Sequence, residues 1–187
     1  MIKKTIIKLT KYAYTFKLYI YYLIYSFDKW HVFNNKHTVS YKKIVERELT
    51  YNNKINSIIE IGCGLGELFA KSKKKYFGYD ICPKVINAAK ALHRNSNFKI
   101  GGLEITPTKI DLFITVNWIH NMPIAELINL LKPHLENSRF YLFDVILPNT
   151  NGYLYKHNDL MEYFPSYKLI QIIYEDHKRQ ILLYEKS

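Results

Sequence analysis

Ile58-Ile59-Glu60-Ile61-Gly62-Cys63-Gly64-Leu65-Gly66-Glu67 is the stretch on which the fold reading depends. The apolar run from Ile55 to Ile61 stops abruptly at a glycine, the pattern of a short strand buried on both faces. Glycines at 62, 64 and 66 then allow a tight turn and a close approach of ligand to backbone. A helical segment is expected after the loop. Several nucleotide-binding folds carry such a loop, so the residues around it must separate them. A dinucleotide fingerprint calls for glycine where this chain has Glu67, because pyrophosphate lies close there. Glu60 and Glu67 set two carboxylates around the loop instead. They repel a pyrophosphate and suit a ligand that carries positive charge and no phosphate.

Outward from the loop, strands and helices alternate. Tyr76 to Tyr79 reads as a second strand ending in Asp80, fourteen residues after Gly66. Pro83 opens a helix with Val85, Ile86, Ala89 and Leu92 on one face. Phe98 to Ile100 is a third strand, closed by Gly101-Gly102, and Asp111 to Val116 a fourth. The ten residues between them leave room for a short helix or none. Ile124, Leu127, Ile128 and Leu131 form a helix behind Pro123, and Pro133 is expected to end it. Arg139 to Leu147 is a fifth strand, and Leu154 to Phe164 reads as helical. Tyr167 to Tyr174 and Arg179 to Tyr184 form a closing hairpin. The expectation is an α/β fold: a Rossmann-like, mostly parallel sheet of about seven strands with helices on both faces and a C-terminal hairpin.

Asp80 has two readings. An acid at the end of the second strand can take both hydroxyls of a ribose, and an Asp three residues before Pro83 can also cap a helix. Following the glycine loop by one strand favours the ribose. S-adenosylmethionine, with a sulfonium, an ammonium and an adenosine, matches both the loop and Asp80. At these residues, together with Asp111-Leu-Phe-Ile-Thr-Val-Asn-Trp-Ile-His-Asn121, the chain resembles the class I (Rossmann-like) S-adenosylmethionine-dependent methyltransferases. The resemblance covers about residues 55–147. It implies a loop from Glu60 through Gly62, Cys63 and Gly64 to Gly66 that passes the methionine part of the cofactor. It also implies Asp80 on the ribose, Ile81 on adenine, and Gly102 and Leu103 near the adenine edge. Asn117 and Trp118 would face the methionine end and the acceptor. The acid often found just after the third strand is replaced by Gly101-Gly102, with Glu104 as a stand-in.

Acceptor chemistry is sought beyond the carboxyl ends of the strands. His120 is the first candidate for a base toward an acceptor hydroxyl, against a role in shaping the turn before Pro123. Asp144 could orient a histidine or bind acceptor hydroxyls; otherwise it is a satisfied carboxylate at a strand end. Trp30, His31 and His157 could line the acceptor pocket from flanking segments, against plain surface positions. Cys63 has no adjacent base and reads as a small loop residue. The Asp/Asn-Pro-Pro-Tyr/Phe signature of base-amine methylation is absent: Asn117-Trp118-Ile119-His120 stands in its place. With no separate substrate domain, the resemblance points to O-methylation of a small molecule or a sugar or polysaccharide precursor. An RNA-directed enzyme and a non-catalytic binding module are the alternatives.

Residues 1–50 read as an N-terminal helical extension, a lid or substrate cap on the 51–187 domain. Ile6, Leu9, Ala13, Phe16, Ile20, Leu23 and Phe27 recur at helical spacing, with Lys and Tyr around them. This stripe either packs on the domain body, lies on a membrane surface, or closes over the substrate. Thr38 to Leu49 reads as a second helix. The chain of 187 residues carries a net charge of +11, with 27 Lys and Arg against 16 Asp and Glu. Residues 1–50 hold +7 of it, and only 4 of the 27 cations are Arg, which argues against a nucleic-acid reader. Lys71 to Lys75 reads as a solvated connection. Two cysteines provide neither a disulfide framework nor a metal cluster, and the apolar run Leu18–Phe27 is too short to span a bilayer. The expectation is a cytoplasmic protein, with peripheral contact at the inner face of the membrane as the further reading.

Overall fold

The computed structural model describes residues 2–69 and 72–187, with backbone alone over 2–8. Lys71 of the lysine run, and the side chains of Lys4, Ile6 and Lys8, lie outside what is described. Seven strands form one sheet in the order β3-β2-β1-β4-β5-β7-β6. They are β1 (Ser57–Ile61), β2 (Lys75–Asp80), β3 (Asn97–Ile100), β4 (Ile110–Thr115), β5 (Ser138–Ile146), β6 (Tyr167–Glu175) and β7 (Arg179–Lys186). β1 to β5 pair in parallel, while β7 runs antiparallel between β5 and β6. The expected mostly parallel sheet with a closing hairpin is present.

Alternation along the strands sends side chains to two cores. On one face Ile58, Leu112, Ile114, Phe140 and Leu142 pack with Tyr41, Val45 and Leu49 of α3 (Ser40–Thr50) and Ile86 and Ala89 of α4 (Pro83–Leu92). On the other, Ile59, Phe113, Tyr141 and Phe143 pack with Leu127, Leu131 and Leu135 of α5 (Ile124–Glu136). α1 (Ile2–Tyr25) forms an outer layer on α4, and the single-turn α2 (Trp30–Phe33) follows it.

Five local expectations are corrected. The N-terminal stripe does not pack on the body: Leu9, Phe16, Ile20 and Leu23 are exposed. The docked face holds Leu18, fully buried against Val85 and Ala88, with Tyr14, Tyr21, Tyr22 and Tyr25 half-buried around it; of the stripe only Phe27, beyond the helix, is buried. Small residues on α4 make a seat for Leu18, and the flanking Tyr rings pack around it. No helix follows the glycine loop over Leu65–Phe69, which is a succession of turns closed by Gly66 N–H donating to Cys63 O. Gly66 at φ +70° is incompatible with a helix there. The break at Asp28-Lys29-Trp30-His31 contains α2 itself. Pro133 does not end α5, which continues to Glu136; its last turn is held by buried Leu135 and by Asn137 Nδ2 donating to Pro133 O. Leu154–Phe164 holds only a short 3-10 turn at Leu160–Tyr163. Tyr155 N–H donates to His120 O, and His157 sits at φ +52°, so the chain is pinned across the loop after β4 and cannot coil.

Candidate active site

The chain builds outward from β1 to β3, then returns to place β4 on the other side of β1. Loops leaving β1 and β4 therefore diverge, and the crevice between them is where open α/β sheets bind ligands. Gly62 and Gly64 stand at φ +72° and +54°. A Cβ on Gly62 would lie 2.2 Å from the Trp118 ring, so only glycine lets the indole rest on the loop. Asp80 ties this loop to β2: its Oδ2 accepts from Gly64 N–H at 3.0 Å and its Oδ1 from Cys82 N–H at 2.9 Å. Asp80 is thus not the cap of α4, whose N-cap is Cys82. About two of the four acceptor positions of its carboxylate remain for a ligand.

A cavity of about 530 Å³ opens over these loops, a size ordinary for a small-molecule site. Its wall combines Glu60, Gly62 and Gly64 with Asp80 and Ile81 from the end of β2 and Asn117 and Trp118 from the end of β4. Asp28, Trp30, His31, Tyr41 and Lys42 of the N-terminal segment supply the opposite side. The segment is fastened there by Glu67, which accepts from Lys42 Nζ at 2.9 Å and from Lys36 N–H at 3.2 Å. Four carboxylates thus line the cavity against one Lys, and that Lys is paired. Glu60 is the most buried of them. Burial pushes its pKa up to about 8, although Tyr76 OH donates to Oε2 at 2.6 Å and Lys42 lies near. Burial also lowers the His31 pKa, so its ring favours the neutral form.

Beside it lies a polar cavity of about 420 Å³ that shares Trp30, Tyr41, Asn117, Trp118 and Asn121 and adds His120, Tyr153 and Arg179. Asp144, fully buried near the end of β5, is not on its wall but holds residues that are. Asp144 Oδ1 accepts from Asn117 N–H at 2.7 Å, and Oδ2 accepts from Arg179 Nη1 at 3.0 Å. Asn117 pays for that contact with φ +59°, a strained loop conformation at the end of β4. Arg179 also donates to Asn117 Oδ1 and Tyr153 OH, with its guanidinium between the Tyr41 and Tyr153 rings. His120 Nδ1 faces only the Tyr155 carbonyl, 3.2 Å away, so it carries the hydrogen. His120 Nε2 is buried without a hydrogen bond, alone in this among the described side-chain nitrogens and oxygens, yet lies 3.1 Å from Asp144 Oδ1.

Of the residues singled out for a cofactor, Glu60, Gly62, Gly64, Asp80, Ile81, Asn117 and Trp118 meet at the first cavity. Cys63, Gly66, Gly102 and Leu103 are not on its wall. Cys63 is buried with its thiol pKa pushed well up, first by burial, and Leu103 belongs to the α5 core. Glu104 Oε1 accepts from Gly102 N–H at 2.7 Å, which shapes the turn after β3. Trp30 lines both cavities and His31 the first. His157 reaches neither; it is buried, with Nε2 3.0 Å from Ile119 O. Arg179, Tyr41, Lys42 and Tyr153 were not anticipated. The only signal for Arg179 was an arginine opening the last strand in a chain that otherwise prefers lysine.

No family model matches the chain, and no curated protein matches it in sequence. Solved structures do match in shape. Magnesium protoporphyrin IX methyltransferase from Synechocystis, solved with bound S-adenosylmethionine, shares 14% identity at a TM-score of 0.66, over 97% of each chain. A Pyrococcus horikoshii protein aligns at 15% identity and 0.67, over 90% of this chain and 99% of that one. Human N-acetylserotonin methyltransferase, also in complex with S-adenosylmethionine, aligns at 17% and 0.58, over 79% of this chain and 52% of its own. At these identities the likeness establishes the fold, and the fold is that of the Rossmann-like methyltransferases.

Proposed function

We propose that this chain is an S-adenosylmethionine-dependent methyltransferase that acts on a hydroxyl of a small molecule or sugar precursor. The observation that carries this reading is the wall of the β1–β4 cavity: Asp28 and Asp80 with no described cation facing them, Glu67 offset by Lys42, a buried Glu60 that a ligand's positive charge would ionise, and a glycine loop with Glu67 in place of the pyrophosphate glycine. Such a wall selects a cation without phosphate. Asp80 would hold the ribose with its free acceptor positions, Ile81 would cover adenine, and Glu60 and the Gly62–Gly64 backbone would hold the methionine end. Asn117 and Trp118 stand at the junction with the second cavity. The bound cofactor would supply a methyl group activated on a sulfonium centre.

The second cavity is the acceptor site on this reading. Its amides, phenols and guanidinium suit an oxygen-rich molecule. His120 would take up the proton of an acceptor hydroxyl, and the Asp144 carboxylate, 3.1 Å from its Nε2, would stabilise the resulting cation. Arg179 Nη1 and Asn117 N–H, both donating to it, hold the Asp144 carboxylate in place. The extension of residues 1–50 acts as a cap, since Trp30 and Tyr41 face both cavities. The test is labelled methyl transfer to a panel of sugar nucleotides, lipid-linked sugars, small alcohols and RNA, with His120→Ala alongside. Turnover of one hydroxylated small molecule, reduced about 10²–10⁴-fold in the variant at unchanged cofactor affinity, supports the assignment. Transfer to RNA alone, or none with any acceptor, defeats it.

A further inference from the structure

We propose that α1 docks this protein on a membrane surface rich in anionic lipid. The inference does not depend on the methyltransferase reading. α1 carries two apolar faces, and the structure covers one. Leu18 and the tyrosines beside it seat the helix on α4. Leu9, Tyr12, Phe16, Ile20, Leu23 and Ile24 point away from the body, with Phe16 65% and Leu23 62% exposed. At helical spacing these six make one continuous strip. Scattered single apolar residues are normal on a surface, whereas a strip along four turns is not.

Charge decides the occupant. Up to Phe27 the only charged side chains are five lysines, and Asp28 is the first acid. Exposed Lys17 flanks the strip by its helical phase, within 5.8 Å of the Tyr21 ring. At the C-terminal end of the strip, Ile24 opens into a groove with Tyr21 and Tyr25, with Lys90 of α4 and with Arg94 two residues beyond it. Apolar side chains bordered by cations and phenols match the boundary between acyl chains and anionic headgroups. A second copy on the same strip would set lysines against lysines with no acid on either helix. No described helix is long and apolar enough to cross a membrane, so the contact is one of lying on the surface.

Vesicle co-sedimentation of the full chain tests this, using pure phosphatidylcholine and equal parts phosphatidylcholine and phosphatidylglycerol. Binding to the anionic vesicles is expected to exceed binding to the neutral ones and to fall as salt is raised. Two variants separate the contributions: Phe16→Ser with Leu23→Ser empties the strip, and Lys90→Gln with Arg94→Gln neutralises the groove. Each pair should weaken binding about tenfold or more while far-ultraviolet circular dichroism and the unfolding midpoint stay unchanged. Equal binding to both vesicle types, no binding to either, or full binding by the strip variant overturns the proposal. A dimer in solution that the strip variant dissociates also overturns it, by assigning the face to a second copy.

Discussion

Glu60→Gln should remove the pH dependence that one buried acid imposes on the whole fold. Glu60 is 4% exposed, and burial raises its pKa from 4.5 to about 8. The folded protein therefore keeps this proton in a window where the unfolded chain has released it. Stability from this group is full below about pH 4.5, declines as pH rises through the window, and is gone above about pH 8. A one-unit difference in pKa between the folded and unfolded chain corresponds to about 1.4 kcal/mol, so the whole window is worth roughly 3–5 kcal/mol. Glutamine keeps the volume and an acceptor for Tyr76 OH but cannot ionise. Burial-lowered pKa values at His31, His134 and His157 work in the opposite sense, adding stability as pH rises through their range, and they are common to both proteins. Denaturant unfolding of wild type and variant from pH 5 to pH 9 isolates Glu60 in the difference. Glu60→Gln should gain on wild type up to about pH 8 and level off above it. A difference that stays flat across that range would refute the argument.

Gly62→Ala should destabilise the fold by about 1–3 kcal/mol, because alanine must hold φ +72° and displace the Trp118 ring 2.2 Å away; thermal melts and Trp fluorescence report both effects. Leu18→Ala should cost about 2–5 kcal/mol, while Leu23→Ala, on the same helix but exposed, should change stability by less than about 0.5 kcal/mol. Equal losses in those two would contradict the orientation of α1. Arg179→Met should leave cofactor affinity intact yet lower turnover, since Asp144 loses the partner that holds it; unchanged turnover would remove Arg179 from the acceptor site.

Much of this was legible because it is local. A buried parallel strand is a continuous apolar run, and the left-handed Gly62, Gly64 and Gly66 have few substitutes, so β1 and its loop could be read residue by residue. What failed is what tertiary structure decides. Periodicity shows that α1 has an apolar stripe, but not that Leu18 and its tyrosines would win the seat on α4 and turn the stripe outward. Arg179 reaches the acceptor cavity only because β7 runs antiparallel on β5, which pairs its first residue with Ile146 at the strand's carboxyl end. Asp144 then acquires its partner from a residue 35 positions away. The segment 154–164 looks helical by its apolar spacing, yet its hydrogen bonds go to the loop after β4. Carboxylate placement was readable as type and spacing, whereas the Glu67–Lys42 clasp that turns the N-terminal segment into a cavity wall was not.

Calorimetric titration of the wild-type chain and Asp80→Ala with S-adenosylmethionine, S-adenosylhomocysteine and NAD tests the central claim most directly. The acid-lined cavity predicts saturable binding of the first two and none of NAD. Asp80→Ala should weaken that binding by about 1–3 kcal/mol through loss of charged hydrogen bonds to the ribose. Binding of NAD, no binding of S-adenosylmethionine, or an Asp80→Ala variant that remains folded with undiminished affinity would contradict it.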